Sequence, residues 1–260
     1  MSNPLDFSGK AVLVTGGSRG IGRGIAEGFL AAGADVAVCG RKEPDELPKA
    51  NGKDAIFVAA DVRDGDQVEK MVEHVVDRLG RLDVLINNAG GAPFAEAATA
   101  SPRFSEKIIQ LNLTAALHCA QAANRVMQGQ DSGGSIINVA SVSGVRPSPG
   151  TAAYGAAKAG LINLSATLAI EWAPKVRVNA ISAGLIRTEQ AHLHYGDEAG
   201  IARVAGTVPL GRLGTPEDVS GACMFFASPL SSYVSGANLI LHGGGETPAF
   251  LSAATVNRGE

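Results

Sequence analysis

From end to end, short runs rich in Val, Ile and Ala alternate with longer amphipathic stretches. The runs Lys10 to Thr15, Asp35 to Cys39, Ala55 to Ala60, Val84 to Asn87, Ser135 to Val139, Val176 to Ile181 and Asn238 to Leu241 read as strands. Helical patterns lie between them near 21–32, 65–79, 102–128, 152–172 and 215–227. Parallel neighbours need a long crossover, and strands that are apolar on both sides need cover on both faces. The order therefore predicts an α/β fold: a doubly wound, seven-stranded parallel sheet with helices on both faces.

No Pro/Ser-rich linker and no 20 to 50 residue repeat divides the 260 residues, so one domain over 1–260 is expected. Two stretches interrupt the alternation: Gly184 to Pro209, and the tail after Gly243, here 245–260. In open α/β sheets the ligand lies beyond the carboxyl ends of the strands, so such loops are where function is sought. A net charge of -3 gives no electrostatic reason to expect nucleic acid. No apolar run approaches the roughly 18 residues of a membrane span, and Met1 to Gly9 lacks the pattern of a signal peptide. The three cysteines, Cys39, Cys119 and Cys223, are scattered and odd in number, which suggests neither a disulfide framework nor zinc. A cytoplasmic protein without membrane, nucleic-acid or metal partners is expected.

Thr15-Gly16-Gly17-Ser18-Arg19-Gly20-Ile21-Gly22 follows the first strand and opens the first helix. Glycines allow a sharp turn and close approach of a pyrophosphate, while a helix N-terminus offers free N–H groups and the positive end of its dipole. The spacing is G-x-x-x-G-x-G, which is neither the G-x-G-x-x-G fingerprint nor a Walker loop. Downstream come Asn87-Asn88-Ala89-Gly90 at a strand end, Asn112 within the 102–128 helix, Ser141, and Tyr154-Gly155-Ala156-Ala157-Lys158 opening a helix.

In this order and spacing the motifs resemble those of the classical short-chain dehydrogenases/reductases, over residues 9 to 244. The resemblance implies a Rossmann-type dinucleotide-binding domain. It also implies a catalytic set of Asn112, Ser141, Tyr154 and Lys158. Tyr154 and Lys158 are four apart, hence one helical turn apart on one face. A nearby ammonium favours a phenolate, so a lowered tyrosine pKa is expected, as suits a general acid/base near neutral pH. In the resembled family the tyrosine exchanges a proton with the substrate oxygen, the serine holds that oxygen, the lysine also contacts the nicotinamide ribose, and the asparagine positions a relay water. Ser143 is the alternative to Ser141.

The same resemblance places the cofactor on Gly16, Ser18, Arg19, Gly20, Ile21, Gly22, Arg41, Asp61, Val62, Asn88, Ala89, Gly90, Tyr154, Lys158, Gly184, Ile186 and Thr188. Asp61 would bind the adenine amino group and Thr188 the carboxamide. Gly40 stands where NAD-selective members carry Asp, and Arg41 follows it. With Arg19 as a second cation, the 2′-phosphate of NADP(H) is the expected ligand, with NAD(H) as the alternative.

The chain departs from the family at Ala183-Gly184, where Pro-Gly is usual, and at His242, where Asp is usual. Loss of the proline is expected to loosen the start of the loop. The substrate loop, about 185–209, carries Glu189, Gln190, His192, His194 and Tyr195, which name no substrate. Carrier-protein reductases of the family present a basic patch where the 102–128 helix ends, and Met127 to Ser132 holds no base. The Ala/Leu stripes of 102–128 and 152–172 match the helices that form the family's homotetramer or homodimer interface. The expected function is therefore NADP(H)-dependent interconversion of a carbonyl and a secondary alcohol on a small or hydrophobic substrate. An NAD-dependent alcohol or steroid-type dehydrogenase, a 3-ketoacyl (CoA or carrier protein) reductase and a non-catalytic nucleotide-binding protein are the alternatives.

Overall fold

The computed structural model describes residues 3–254; the final part of the 245–260 tail, residues 255–260, lies outside them. The sheet strands are β1 (Ala11–Thr15), β2 (Asp35–Gly40), β5 (Ile56–Ala59), β6 (Val84–Asn87), β7 (Gly134–Ser141), β8 (Val176–Ala183) and β9 (Asn238–Leu241). All seven pair in parallel, in the order β5-β2-β1-β6-β7-β8-β9. This is the α/β, doubly wound Rossmann-type arrangement that the alternation predicts.

Alternate strand residues feed two cores. Val12, Val14, Val36 and Val38 pack with Ile25 and Phe29 of α1 (Gly20–Ala31) and Val219 and Phe226 of α8 (Pro216–Ala227). Leu13, Ala37 and Leu85 face the other way, onto Met71 of α2 (Gly65–Leu79), Cys119 and Ala123 of α4 (Ala115–Gly129), and Leu168 of α5 (Ala152–Glu171). A one-residue register slip would exchange these faces, so the burial pattern fixes the register. The order reverses between β1 and β6, and that switch point opens the crevice in which a ligand of such a sheet sits.

Three segments differ from the sequence expectation. The 102–128 helix is built of α3 (Pro102–Ile109), a π-helical turn (Gln110–Thr114) and α4. The stretch Gly184 to Pro209 contains α6 (His192–Tyr195) and α7 (Glu198–Ala205), and its Ala191, Ile201 and Val208 form an apolar cluster with Leu213 just beyond it. A small hairpin joins β3 (Lys49–Ala50) to β4 (Lys53–Asp54) through Asn51 and Gly52, both at positive φ. In the tail, Ala249–Ala253 form α9. Among the described residues no helix is long and apolar enough to cross a membrane, and no three His, Cys, Asp or Glu side chains gather as metal ligands.

Candidate active site

The carboxyl ends of β1 and β6 are tied together by one hydroxyl. Thr15 Oγ1 accepts from the backbone N–H groups of Asn88 and Ala89, each at 3.0 Å. Asn88 returns the contact, its Nδ2 donating to the carbonyls of Thr15 and Gly16. Gly16 and Gly20 have φ of 63° and 55°, so the turn between them needs residues without a Cβ. A Cβ on Gly22 would collide with Asn88 Nδ2 and the Gly16 carbonyl, and one on Gly17 with Val38. The turn thus lies flat against the sheet and directs the N-terminus of α1 into the crevice. Arg19, the N-cap of α1, supplies no side-chain cap of its own.

At the crevice's edge, Gly40 ends β2 and Ala60 N donates to its carbonyl, which brings Asp61 beside Arg41. Asp61 does not stand free: Arg63 donates to both its oxygens, and this bond holds its carboxyl below the usual range. Sequence reading missed Arg63, since nothing in the spacing announces it. Arg19 and Arg41 are exposed and make no ion pair or side-chain hydrogen bond among the described residues. Val62 is buried in the second core.

On the far side, β7 ends at Ser141 and α5 begins after Thr151. The Ser141 hydroxyl lies beside the Tyr154 phenol, close enough to favour its ionised form, and accepts from Ser143 N–H at 3.2 Å. Ser143 Oγ instead donates to Ser148, so of the two serines Ser141 is the one brought to the tyrosine. Lys158 is buried at 3% exposure, and its Nζ donates to the Val139 carbonyl at 2.8 Å. It lies 5.6 Å from the centroid of the Tyr154 ring.

Burial dominates both ionisations. It pushes the Tyr154 phenol up, with Ser141 opposing, and depresses Lys158 to about 8. The lowered tyrosine pKa expected from the sequence is therefore not what this site has. The ammonium bonds a backbone carbonyl rather than the phenol oxygen, and desolvation of the phenolate outweighs the attraction.

Asn112 sits within the π-helical turn, a form frequent at functional sites because it breaks the regular backbone ladder. Its side chain is satisfied locally, donating to the carbonyls of Ile108 and Gly91 and accepting from Gly91 N–H. A Cβ on Gly90 would stand 2.6 Å from Asn112 Oδ1 and 3.3 Å from Lys158 Nζ, so Gly90, Asn112 and Lys158 converge. A buried chain runs from Asn87 through Asn138 to Ser165, joining β6, β7 and α5.

The substrate loop leaves β8 at Gly184. Instead of a loosened start, Gly184 N–H bonds the Leu241 carbonyl at 2.8 Å, and a Cβ there would strike His242. Ladder pairing of Ala183 with both Ser141 and Leu241 holds this point without the proline. Ile186 bridges to Gly214, and Thr188 lies over Gly20, its Cγ2 3.7 Å from where a Cβ would be. Arg146 and Glu246 form an ion pair that straps the start of the tail near Tyr195, a pairing that no motif signalled. A cavity of about 80 Å³ is lined by Tyr154, by Pro93, Phe104 and Ile108, and by the polar Ser105 and Thr151 among others. Cys39, Cys119 and Cys223 are buried and unpaired, and burial raises each thiol's pKa, which leaves them inert near neutral pH.

The glycine cradle, the helix N-terminus directed into the crevice and the exposed arginines at its edge fit a dinucleotide, and the sheet's switch point is where such a fold holds one. Fold and site together define a dinucleotide-linked oxidoreductase. Residues 16–246 match the family model described as enoyl-(acyl carrier protein) reductase. The chain is 38% identical over 245 residues to L-rhamnose 1-dehydrogenase (NAD(P)(+)) of Azotobacter vinelandii, covering 90% of this chain and 96% of that one. It is 38% identical over 242 residues to 3-oxoacyl-[acyl-carrier-protein] reductase FabG of Chlamydia muridarum, with the same coverage of 90% and 96%. The solved structure of a short-chain type dehydrogenase/reductase from Mycobacterium marinum superposes with a TM-score of 0.86 at 35% identity, covering 94% of this chain and 98% of that chain. The chain belongs to the short-chain dehydrogenase/reductase family and is an oxidoreductase.

Proposed function

We propose that the protein is an NADP(H)-dependent oxidoreductase that interconverts a carbonyl and a secondary alcohol on a small or hydrophobic substrate. The observation that carries this reading is the gathering of Ser141, Tyr154 and a buried Lys158, whose Nζ stands 5.6 Å from the Tyr154 ring, at the ends of β7 and α5. A protonated phenol is the form required to donate to a carbonyl oxygen during reduction, and burial keeps Tyr154 in that form. Ser141 holds the same oxygen, an interaction that strengthens as negative charge develops on it. In the oxidative direction Tyr154 takes the hydroxyl proton, and an ammonium at Lys158 eases formation of the phenolate. Asn112, through the irregular backbone of its π-helical turn, positions a proton-relay water beside Lys158. The nicotinamide, when bound, supplies or accepts the hydride.

Gly16, Ser18, Gly20, Ile21 and Gly22 are the residues proposed to hold the pyrophosphate. Asn88, Ala89, Gly90 and Lys158 would take the ribose side, and Gly184, Ile186 and Thr188 the nicotinamide end. Asp61 and Val62 would flank the adenine, with Asp61 presented through Arg63. Arg19 and Arg41 are the proposed clamp for the 2′-phosphate, supported by their exposure, by their forming no close ion pair and by the absence of an acid at Gly40. The cavity beside Tyr154, with Phe104 and Ile108 beside Ser105 and Thr151, is where the substrate's substituent would lie.

We further read the chain as one domain of a cytoplasmic homotetramer, or homodimer, assembled through α4 and α5. Similarity to a carrier-protein reductase brings in 3-ketoacyl reduction as a second reading. Near the end of α4, however, Arg125 is paired with Glu69 and Lys175 is bonded to the Gln128 and Gln130 carbonyls, so neither is free to dock an acidic carrier. Fluorescence titration with NADPH and NADH, followed by a carbonyl and alcohol panel with each nucleotide, tests the proposal. Tighter NADPH binding with turnover of free ketones is expected. Preference for NADH, or for carrier-bound ketoacyl groups over every free ketone, would reverse the corresponding part.

A further inference from the structure

Gly20 opens α1, and its N–H donates to Glu189 Oε1 at 3.0 Å, joining positions 169 residues apart. Glu189 belongs to the loop that leaves β8, and its neighbour Thr188 lies near Gly20, its Cγ2 3.7 Å from where a Cβ there would stand. Since Arg19 gives α1 no side-chain cap, a carboxylate from the other half of the chain supplies one. Carboxylates and phosphates are drawn to a helix N-terminus by the same N–H groups and the same dipole. The glycine turn places that N-terminus where a dinucleotide's pyrophosphate is expected, so the two anions compete for one seat.

We infer that Glu189 sets cofactor affinity: it is a built-in anion that holds Gly20 N–H and latches the substrate loop across the glycine turn, and a dinucleotide phosphate must displace it. The inference rests on the dinucleotide reading above. Displacement releases the contact between the loop and α1, so occupancy by nucleotide and freedom of the loop are linked. Glu189 is exposed, and its removal leaves both apolar cores untouched.

The test is a fluorescence titration of the full-length protein, of Glu189→Gln and of Glu189→Ala, with NADPH and NADH, beside amide hydrogen exchange without nucleotide. Both variants are expected to bind NADPH about 3- to 10-fold more tightly than the parent protein, a span typical of removing one charge from a helix end. The Gly20 amide is expected to exchange faster in the variants. Unchanged or weaker binding in both variants would overturn the inference, as would unaltered exchange at Gly20. If NADH is the tighter ligand and the variants tighten it by the same factor, Glu189 keeps its role and the NADP(H) assignment falls. If neither nucleotide binds any of the three proteins, both fall.

Discussion

Lys158 donates to the carbonyl of Val139 rather than to the phenol beside it, at 2.8 Å and almost wholly out of solvent. A cation fixed to the end of β7 in this way makes the geometry of α5 against the sheet part of the acid/base apparatus. It also gives the site a distinct response to pH.

An ordinary lysine has a pKa of 10.5, and burial brings Lys158 down to about 8. The unfolded chain then holds this proton more tightly than the folded one. The group's contribution to stability is complete above about 10.5 and is lost as pH falls toward 8. Lys158→Met removes that dependence, worth on the order of a few kcal/mol. Denaturant unfolding at several pH values between these limits is expected to give a flatter profile for the variant than for the parent, and parallel profiles would refute it.

Tyr154→Phe keeps the ring and its packing but removes the proton. Turnover in either direction is expected to drop by roughly 10²- to 10⁴-fold, the usual weight of a positioned acid/base. Nucleotide affinity measured by fluorescence should stay within about threefold. A variant with undiminished turnover would move the proton transfer elsewhere.

The nucleotide preference is expected to be movable. An ideal Cβ on Gly40 meets nothing closer than 3.6 Å, so Asp fits there. Gly40→Asp combined with Arg41→Asn should raise the KM for NADP by about 10- to 100-fold, the cost of losing a charged hydrogen bond and adding a like charge. The KM for NAD should fall. Equal effects on both nucleotides would place the 2′-phosphate away from this corner.

Two glycines in helices should respond oppositely to alanine. Gly22→Ala drives a methyl into Asn88 and the Gly16 carbonyl, and is expected to cost about 1–3 kcal/mol and to weaken nucleotide binding. Gly221, within α8, has nothing within 4 Å of its Cβ position and should gain about 0.4–1 kcal/mol as alanine. Thermal melting of both variants checks the pair. A neutral Gly22→Ala would mean that the turn tolerates a shift the structure does not show.

Much of this was legible in the chain because burial on both faces leaves a plain mark. Val12 to Val14 and Val36 to Val38 are apolar without interruption since both sides of the sheet are covered. The order TGGSRGIG, NNAG, Ser141, Tyr154 and Lys158 carried the site, each motif ending a strand or opening a helix. The β3–β4 hairpin is marked by Asn51-Gly52, the residues that a tight primed turn requires, but its two-residue strands are too short to show a period-2 pattern. The π-helical turn at Asn112 does not disturb apolar periodicity enough to be seen. Contacts between distant positions left no trace, as with Glu189 and Gly20 or Arg146 and Glu246, and the local pairing of Arg63 with Asp61 has no motif to announce it. The direction of the Tyr154 pKa was hidden for a related reason, since it follows from desolvation, a property of the packed fold rather than of a four-residue spacing.

The cluster of Ala191, Ile201, Val208 and Leu213 gives the substrate loop an interior separate from the two cores that carry the sheet. Such a segment is a cassette: its outer surface can be rewritten without reindexing Ser141, Tyr154 or Lys158, which are anchored to β7 and α5. Transplanting 190–213 as a unit, rather than exchanging its side chains singly, is the route by which this scaffold would acquire a different appetite while keeping its chemistry.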